Sequence, residues 1–166
     1  MSDKNRSTFL ILLALLSALT VPGVAFGQQA AKDFVDSGIA KMAKHDWGGA
    51  ITDYTKAIEL DPKDAVAFNN RGEAKIVKGD GVDGAIADYS KAIELDPKYP
   101  NAYYSRGKVK MAKRDWDGAI ADFTKVIELV PKYPNAYMNR GNARQARGDQ
   151  VGADADFAQA EKLRGR

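Results

Sequence analysis

"AIADYSKAIELDPK", residues 85–98, recurs with small changes along the chain. Its four copies begin at intervals of 35, 34 and 34 residues, at Ala50, Ala85, Ala119 and Ala153. The first three copies are nearly identical, whereas the last, "ADADFAQAEKLRGR" (153–166), is more polar. A fixed period of this length is typical of stacked supersecondary units, each of which is too small to bury its apolar face alone.

Each unit is predicted to contain two helices. In the second helix, apolar residues recur at the i, i+3, i+4, i+7 spacing of an amphipathic helix. The first helix carries an aromatic residue followed four residues later by glycine, as in Phe34 and Gly38. Turns rich in Gly and Asp, such as "KRDWDG" (113–118), separate the two helices. Proline, which has no amide hydrogen, is expected to end the second helix at Pro62, Pro97 and Pro131.

These columns of aromatic, Gly, Ala and Pro residues resemble the tetratricopeptide repeat (TPR) family. The spacing is clearest in "FNNRGEAKIVKGDGVDGAIADYSKAIELDP" (68–97) and "YYSRGKVKMAKRDWDGAIADFTKVIELVP" (103–131). The resemblance implies an all-α, right-handed solenoid of four helix-turn-helix repeats, with eight helices in total. The repeats cover about 31–64, 65–99, 100–133 and 134–166. The chain departs from the family where a first-helix tyrosine is usual, since Lys41, Lys75, Lys110 and Arg144 stand there.

Composition excludes several classes of function. With 166 residues, 45% hydrophobic and 28% charged, the chain is globular in character. A net charge of +3 from 25 basic and 22 acidic residues is too balanced to indicate a nucleic-acid-binding surface. The chain has no cysteine, so disulfides, thiolate nucleophiles and cysteine metal sites are absent.

The first residues are typical of a secretory signal peptide. Lys4 and Arg6 precede the apolar run 9–21, "FLILLALLSALTV", and small residues follow it. Such a run is short for a transmembrane helix. We therefore expect an exported bacterial protein, periplasmic or secreted, cleaved after Gly27, with cleavage after Ala25 or Ala30 as alternatives. The predicted domains are the signal peptide, 1–27, and the TPR domain, 28–166, with no stable membrane insertion after cleavage.

No catalytic, metal or cofactor site is predicted. His45 is the only histidine and falls in a turn, so no base and nucleophile can be paired around it. The turn "GDGVDG" (79–84) has too few ligands for a calcium loop, because Lys91 stands where a bidentate Glu is needed. Trp47 and Trp116 are expected to be buried plugs beside the turns.

Charged residues recur at the same period. Arg71, Arg106 and Arg140 precede Asp88, Asp122 and Asp156 by 16 or 17 residues, which predicts an ion-pair ladder within the repeats. Ser37 replaces the Arg in the first repeat. The column of Lys41, Lys75, Lys110 and Arg144 is expected to be a solvated edge.

The resemblance implies a binding groove, defined as the concave surface formed by the first helices of the repeats. Asparagines there can donate to and accept from a peptide backbone, and methionines offer adaptable apolar contact. The candidate peptide-binding residues are Asn69, Glu73, Asn101, Tyr104, Lys108, Met111, Asn135, Met138 and Asn142. Further groove positions are Lys32, Val35, Met42, Val66, Ile76 and Gln145. The convex side is the alternative binding face.

One subtype of the family is disfavoured. Relatives that clamp the C-terminal carboxylate of cytosolic chaperones carry a set of Lys, Asn and Arg residues on successive first helices. Only Asn70 matches that set, because Val35, Ile39, Asn101 and Ser105 occupy the other positions.

Together these observations predict a non-enzymatic scaffold of the bacterial cell envelope that binds a protein or peptide segment, and we expect it to be a monomer. The alternative is a membrane-anchored assembly subunit whose N-terminal helix is not cleaved. A hydrolase or carrier with an unrecognised site is the third class.

The polar last copy is predicted to be a C-terminal cap. Isoleucines such as Ile86 and Ile93 form a stripe that faces the next repeat, and Asp154 and Glu161 occupy the matching places in the last repeat. A terminal helix has to present polar groups to water there. At the other end Asp33 replaces the alanines of later first helices.

Overall fold

The computed structural model describes residues 22–79 and 81–165, and within these ranges the chain forms eight α-helices and no strand. They are α1 (Pro22–Ala43), α2 (Trp47–Leu60), α3 (Ala65–Lys78), α4 (Val82–Leu95), α5 (Pro100–Ala112), α6 (Trp116–Leu129), α7 (Pro134–Arg147) and α8 (Gln150–Leu163). Each helix packs on the next, and α1, α3, α5 and α7 also contact one another in order. This is the predicted all-α array of four helix pairs.

Aspartates at the turns start most of the second helices. Asp46, Asp115 and Asp149 each accept a hydrogen bond from the amide of the glycine three residues later, at 2.9 to 3.0 Å. These bonds satisfy one of the free amides at a helix N-terminus. In α4 the cap is Gly81, which makes no side-chain bond. The second helices of the first three repeats end at Leu60, Leu95 and Leu129, just before the turns that contain Pro62, Pro97 and Pro131.

The two helices of a pair cross at a glycine. An added Cβ at Gly72 would lie 2.8 Å from the ring of Tyr89, and one at Gly107 would lie 2.9 Å from the ring of Phe123. The alanine that begins each repeated stretch, such as Ala85, is fully buried at the same pairing. Small residues at these points let the helices approach closely while the aromatic ring fills the space beside them.

The predicted ion-pair ladder is present. In the third repeat Arg106 donates from Nε and Nη2 to the two carboxylate oxygens of Asp122, at 3.0 and 2.7 Å. The equivalent pairs, Arg71 with Asp88 and Arg140 with Asp156, have the same two-bond geometry. The aspartates are only 3 to 4% exposed, so the ladder is a buried feature of the repeat.

The prediction of a solvated edge for the lysine column is wrong. Lys41, Lys75, Lys110 and Arg144 each approach the buried aspartate of their own repeat, at 2.6 to 2.9 Å. A buried carboxylate needs compensation by charge and hydrogen bonds, and a second cation supplies it. In the first repeat, where the arginine is missing, Ser37 donates to Asp53 at 2.6 Å.

The first repeat also shows how these bonds act on a titrating group. Burial favours a raised pKa for Asp53, but the hydrogen bonds from Lys41 and Ser37 and the charge of Lys41 outweigh it. The pKa of Asp53 is therefore lowered below its ordinary value.

The arginines also join neighbouring repeats. Nη1 of Arg106 donates to Oγ of Ser90, on the second helix of the preceding repeat, at 3.0 Å. Nη1 of Arg140 makes the same bond with Oγ1 of Thr124 at 3.2 Å. Each guanidinium thus connects three helices, which fixes one repeat against the next.

The structure also bears on the expectations for the tryptophans and for the polar residues of the first and last helices. Trp47 and Trp116 are partly exposed and not fully buried plugs, and the ring of Trp47 meets that of His45 edge to face at 5.0 Å. At the ends of the array, Asp33, Asp154 and Glu161 are exposed.

The apolar run 9–21 lies outside the described residues, as does Asp80. The predicted cleavage point after Gly27 falls within α1. None of the helices in the described ranges combines the length and hydropathy that a membrane-spanning segment needs.

Candidate functional site

Two cavities lie along the first helices, one at each of the first two junctions between repeats. The cavity between repeats one and two has a volume of about 240 Å³ and is lined by Ile39, Met42, Tyr54, Asn70 and Glu73. The cavity between repeats two and three is larger, about 380 Å³, which is within the usual size range for ligand sites. We refer to this larger cavity as the central pocket.

The central pocket combines apolar walls with polar groups. Ile76, Val82 and Val109 supply apolar walls from α3, α4 and α5. Ser105 and the carboxylate of Glu73 supply the polar groups, and Lys108 and Lys113 also line the pocket. Of the nine predicted groove residues, the structure therefore brings Glu73 and Lys108 together in one pocket.

Glu73 lines both cavities and is held by hydroxyl groups. Its Oε2 accepts hydrogen bonds from the phenol of Tyr89 at 3.3 Å and from Oγ of Ser105 at 3.5 Å. Burial raises the pKa of the Tyr89 phenol, and the charge of Glu73 raises it further, so the phenol remains a donor at neutral pH. Glu73 has no salt-bridge partner within residues 22–79 and 81–165.

Tyr104 is fixed by its neighbours. Its hydroxyl accepts a hydrogen bond from Nδ2 of Asn139 at 2.8 Å, and its ring lies 5.8 Å from that of Phe123 and 5.3 Å from that of Tyr133. Nζ of Lys108 lies 5.9 Å from the centre of the Tyr104 ring. These contacts hold the partly buried ring of Tyr104 in one position.

Asn69 is not open to a ligand, in contrast to its prediction as a groove residue. It is only 7% exposed, and its Nδ2 donates to Oδ1 of Asn70 at 3.3 Å. Asn101 and Asn142 are exposed as expected. Asn135 is also exposed, and its Oδ1 accepts a hydrogen bond from Arg164 at 3.0 Å.

The methionines have a packing role as well as a place in the groove. Met111 packs, together with Tyr104, on the core around Phe123, and Met42 packs on the core around Tyr54. Met138 is partly buried. Only the part of each methionine that stays accessible is available to a partner.

The sequence analysis missed six residues of the central pocket, which are Val82, Tyr89, Ser105, Val109, Ala112 and Lys113. The signal for Val82 was visible, because it stands in the column that holds Trp47 and Trp116 in other repeats. A smaller residue at that place leaves space beside the first helix of the next repeat.

The acidic side chains and the histidine bear on the prediction that the chain has no metal or catalytic site. Within the described ranges no three His, Asp or Glu side chains lie where they could hold a metal ion. His45 is exposed and lies in a turn with a φ of 61°.

Several solved structures resemble the chain. The crystal structure of MamA has 27% sequence identity and a TM-score of 0.77 over 81% of this chain and 78% of that one. The first TPR of Spaghetti (RPAP3), bound to the HSP90 peptide SRMEEVD, has 27% identity and a TM-score of 0.70 over 73% and 95% of the two chains. The Arabidopsis OM64 TPR domain has 27% identity and a TM-score of 0.69 over 72% and 98%.

Sequence comparison leads to the same fold. A search of curated proteins finds no match. The sequence model of the TPR repeat matches residues 38–76, 82–113 and 108–148, which is more than half of the chain. Proteins with this repeat mediate protein–protein interaction on a helical scaffold that is generally not catalytic. The chain belongs to the TPR repeat family.

Proposed function

We propose that the protein is a non-enzymatic adaptor of the bacterial cell envelope that holds a peptide or protein segment in its groove. The observation that carries the proposal is the pair of adjoining cavities on the first helices, which share Glu73. Two adjoining cavities that combine apolar walls with polar groups suit a segment that binds in an extended or helical form.

The neighbour with an HSP90 peptide supports binding of a peptide as a general mode, but not the same ligand. A carboxylate clamp requires cations on the first helices, and the positions in this chain hold Val35, Asn101 and Ser105. Val35 is buried, and Ser105 is already hydrogen-bonded to Glu73. The partner of this chain is therefore expected to differ from an acidic C-terminal peptide.

Site-specific photocrosslinking in the native envelope tests the proposal. A photoreactive phenylalanine analogue is placed at Asn101 or Asn142 in the groove, and at Lys125 or Glu128 on a second helix as the matched control. All four residues are at least partly exposed. Crosslinked partners from the groove positions alone are expected. Crosslinks from the second-helix positions alone would place binding on the other face.

An anchored assembly subunit is the second candidate. α1 begins at Pro22 and continues through the predicted cleavage point, which is the observation that favours an uncleaved N-terminus. Intact-mass measurement of the protein from the envelope separates the candidates. The mass of a chain that starts at Gln28 supports export with cleavage, and the mass of the full-length chain supports the anchor.

A further inference from the structure

One column of the repeat differs at the central pocket. In the third repeat Trp116 stands at the first position of the second helix, and in the second repeat this place belongs to Val82, which is 45% exposed. Val82 lines the pocket together with Ala112 and Lys113 of the next repeat. A valine side chain fills much less of this space than an indole ring.

The charge inside the pocket is also particular to this junction. Glu73 corresponds by the repeat to Lys108, and Ser105 corresponds to Asn139. Tyr89, whose hydroxyl orients the Glu73 carboxylate, corresponds to Phe123. At these three positions the second repeat therefore holds a valine, a carboxylate and a tyrosine hydroxyl, where the third repeat holds a tryptophan, a lysine and a phenylalanine.

Neither lysine of the pocket forms a salt bridge with the Glu73 carboxylate. Lys113 forms a salt bridge with Asp83, and Lys108 lies over the ring of Tyr104. The two hydroxyl groups contact only Oε2 of Glu73. Among the residues that the structure describes, no group donates to Oε1, which leaves this oxygen for a partner. A partly buried carboxylate gains most from a cationic donor.

We propose that the central pocket is a specificity pocket for a basic side chain, arginine in the first place, of the bound segment. The aliphatic stem of the arginine packs on Ile76 and Val109, and its guanidinium donates to Glu73. This inference rests on the proposed function of the groove, and it names the chemistry of the partner at one position.

Small probes test the pocket directly. N-acetyl-arginine amide is titrated into isotope-labelled protein produced from the full chain, and amide NMR shifts are followed at Ser105 and Val109. N-acetyl-citrulline amide, which has nearly the same shape without the charge, is the control probe. We expect the arginine probe to bind at least about tenfold more tightly than the citrulline probe, as for a lost charge-assisted hydrogen bond. N-acetyl-glutamate amide is expected not to bind.

Two variants separate charge from shape. Glu73→Gln is expected to reduce affinity for the arginine probe about tenfold or more and to leave the melting temperature nearly unchanged. Val82→Trp, which restores the residue of the first and third repeats, is expected to close the pocket to both probes. Trp116→Val is the matched control, because it opens the next junction beside Lys108 and should create no arginine site.

Equal shifts with arginine and citrulline, no shift with either, a preference for glutamate, or unchanged binding by Glu73→Gln would each overturn the inference. Groove crosslinks together with any of these results leave the proposed function standing. Crosslinks confined to the second helices refute the proposed function even if the arginine probe binds.

Discussion

Arg106 of α5 and Asp122 of α6 form a two-bond pair whose carboxylate is 3% exposed. Lys110, one turn further along α5, approaches the second oxygen of the same carboxylate at 2.9 Å. The arginine also reaches Ser90 of the preceding repeat. One buried aspartate thus organises contacts within a repeat, and its arginine extends them to the neighbouring repeat.

The two cations are expected to differ in their effect on stability. Arg106→Met removes both hydrogen bonds to Asp122 and the bond to Ser90, so the free energy of unfolding should fall by about 3 to 5 kcal/mol. Lys110→Met leaves the two-bond pair intact and should cost about 1 to 2 kcal/mol. Urea denaturation measures both. Equal losses for the two variants would contradict the assignment of the arginine as the main partner.

The ion-pair ladder could be predicted from the sequence, but the salt bridges of the lysines to the same aspartates could not. The spacing of arginine and aspartate predicts one pair in each of the last three repeats, and it leaves Lys110 with no predicted partner except solvent. The depth of burial of Asp122 decides otherwise, because a carboxylate removed from water gains from a second cation. The burial of Asp122 depends on how the neighbouring helices pack, which the spacing of residues in the sequence does not give.

The helix crossing gives a second prediction. Gly107→Ala would place its Cβ 2.9 Å from the ring of Phe123, so the helices must separate and the free energy of unfolding should fall by about 1 to 3 kcal/mol. Gly48→Ala is the control, since nothing lies within 4 Å of its added Cβ. Alanine is a better helix former than glycine, so this variant should gain up to about 1 kcal/mol in stability. Thermal or urea unfolding measures both, and a destabilisation of the same size at Gly48 would show that the crossing is not the cause.

The groove was less predictable than the fold. The period of the repeat fixes which residues lie on the first helices, so Glu73 and Lys108 were correctly placed there. The period does not fix how exposed a side chain is, and Asn69 is only 7% exposed, so its prediction as an open groove residue is wrong. The central pocket is also lined by Val82, which lies on a second helix, and a prediction confined to the first helices does not include it.

Alkaline pH provides a third prediction. Burial, with a smaller contribution from the charge of Asp53, raises the pKa of Tyr54 to about 12. In the unfolded chain a tyrosine titrates near 10, so the stability linked to Tyr54 is fully present below pH 10. As the pH rises from 10 towards 12, the unfolded state loses its proton first, and about 2 to 3 kcal/mol is lost.

Tyr54→Phe removes this titration and is compatible with the fold, since Phe123 holds the same place in the third repeat. Urea denaturation from pH 8 to 11.5 should show the wild-type protein losing stability relative to the variant only above about pH 10. Parallel pH profiles for the two proteins would show that Tyr54 does not contribute.

The last prediction concerns the end of the array. Ile120 of α6 packs on the core that includes Ala143 of the next repeat, whereas Asp154, its counterpart in α8, is exposed and accepts a hydrogen bond from Gln150. Replacing Asp154 and Glu161 together by Ile would extend the apolar stripe onto an uncovered helix face. Exposed apolar stripes of this kind associate, so the variant should form larger species as its concentration rises. Asp154→Asn with Glu161→Gln removes the same charges without adding apolar surface, and it should keep the wild-type mass in light scattering after gel filtration. If the isoleucine variant also keeps that mass at all concentrations, the acidic residues do not limit association, and the polar last copy of the repeat has no capping role.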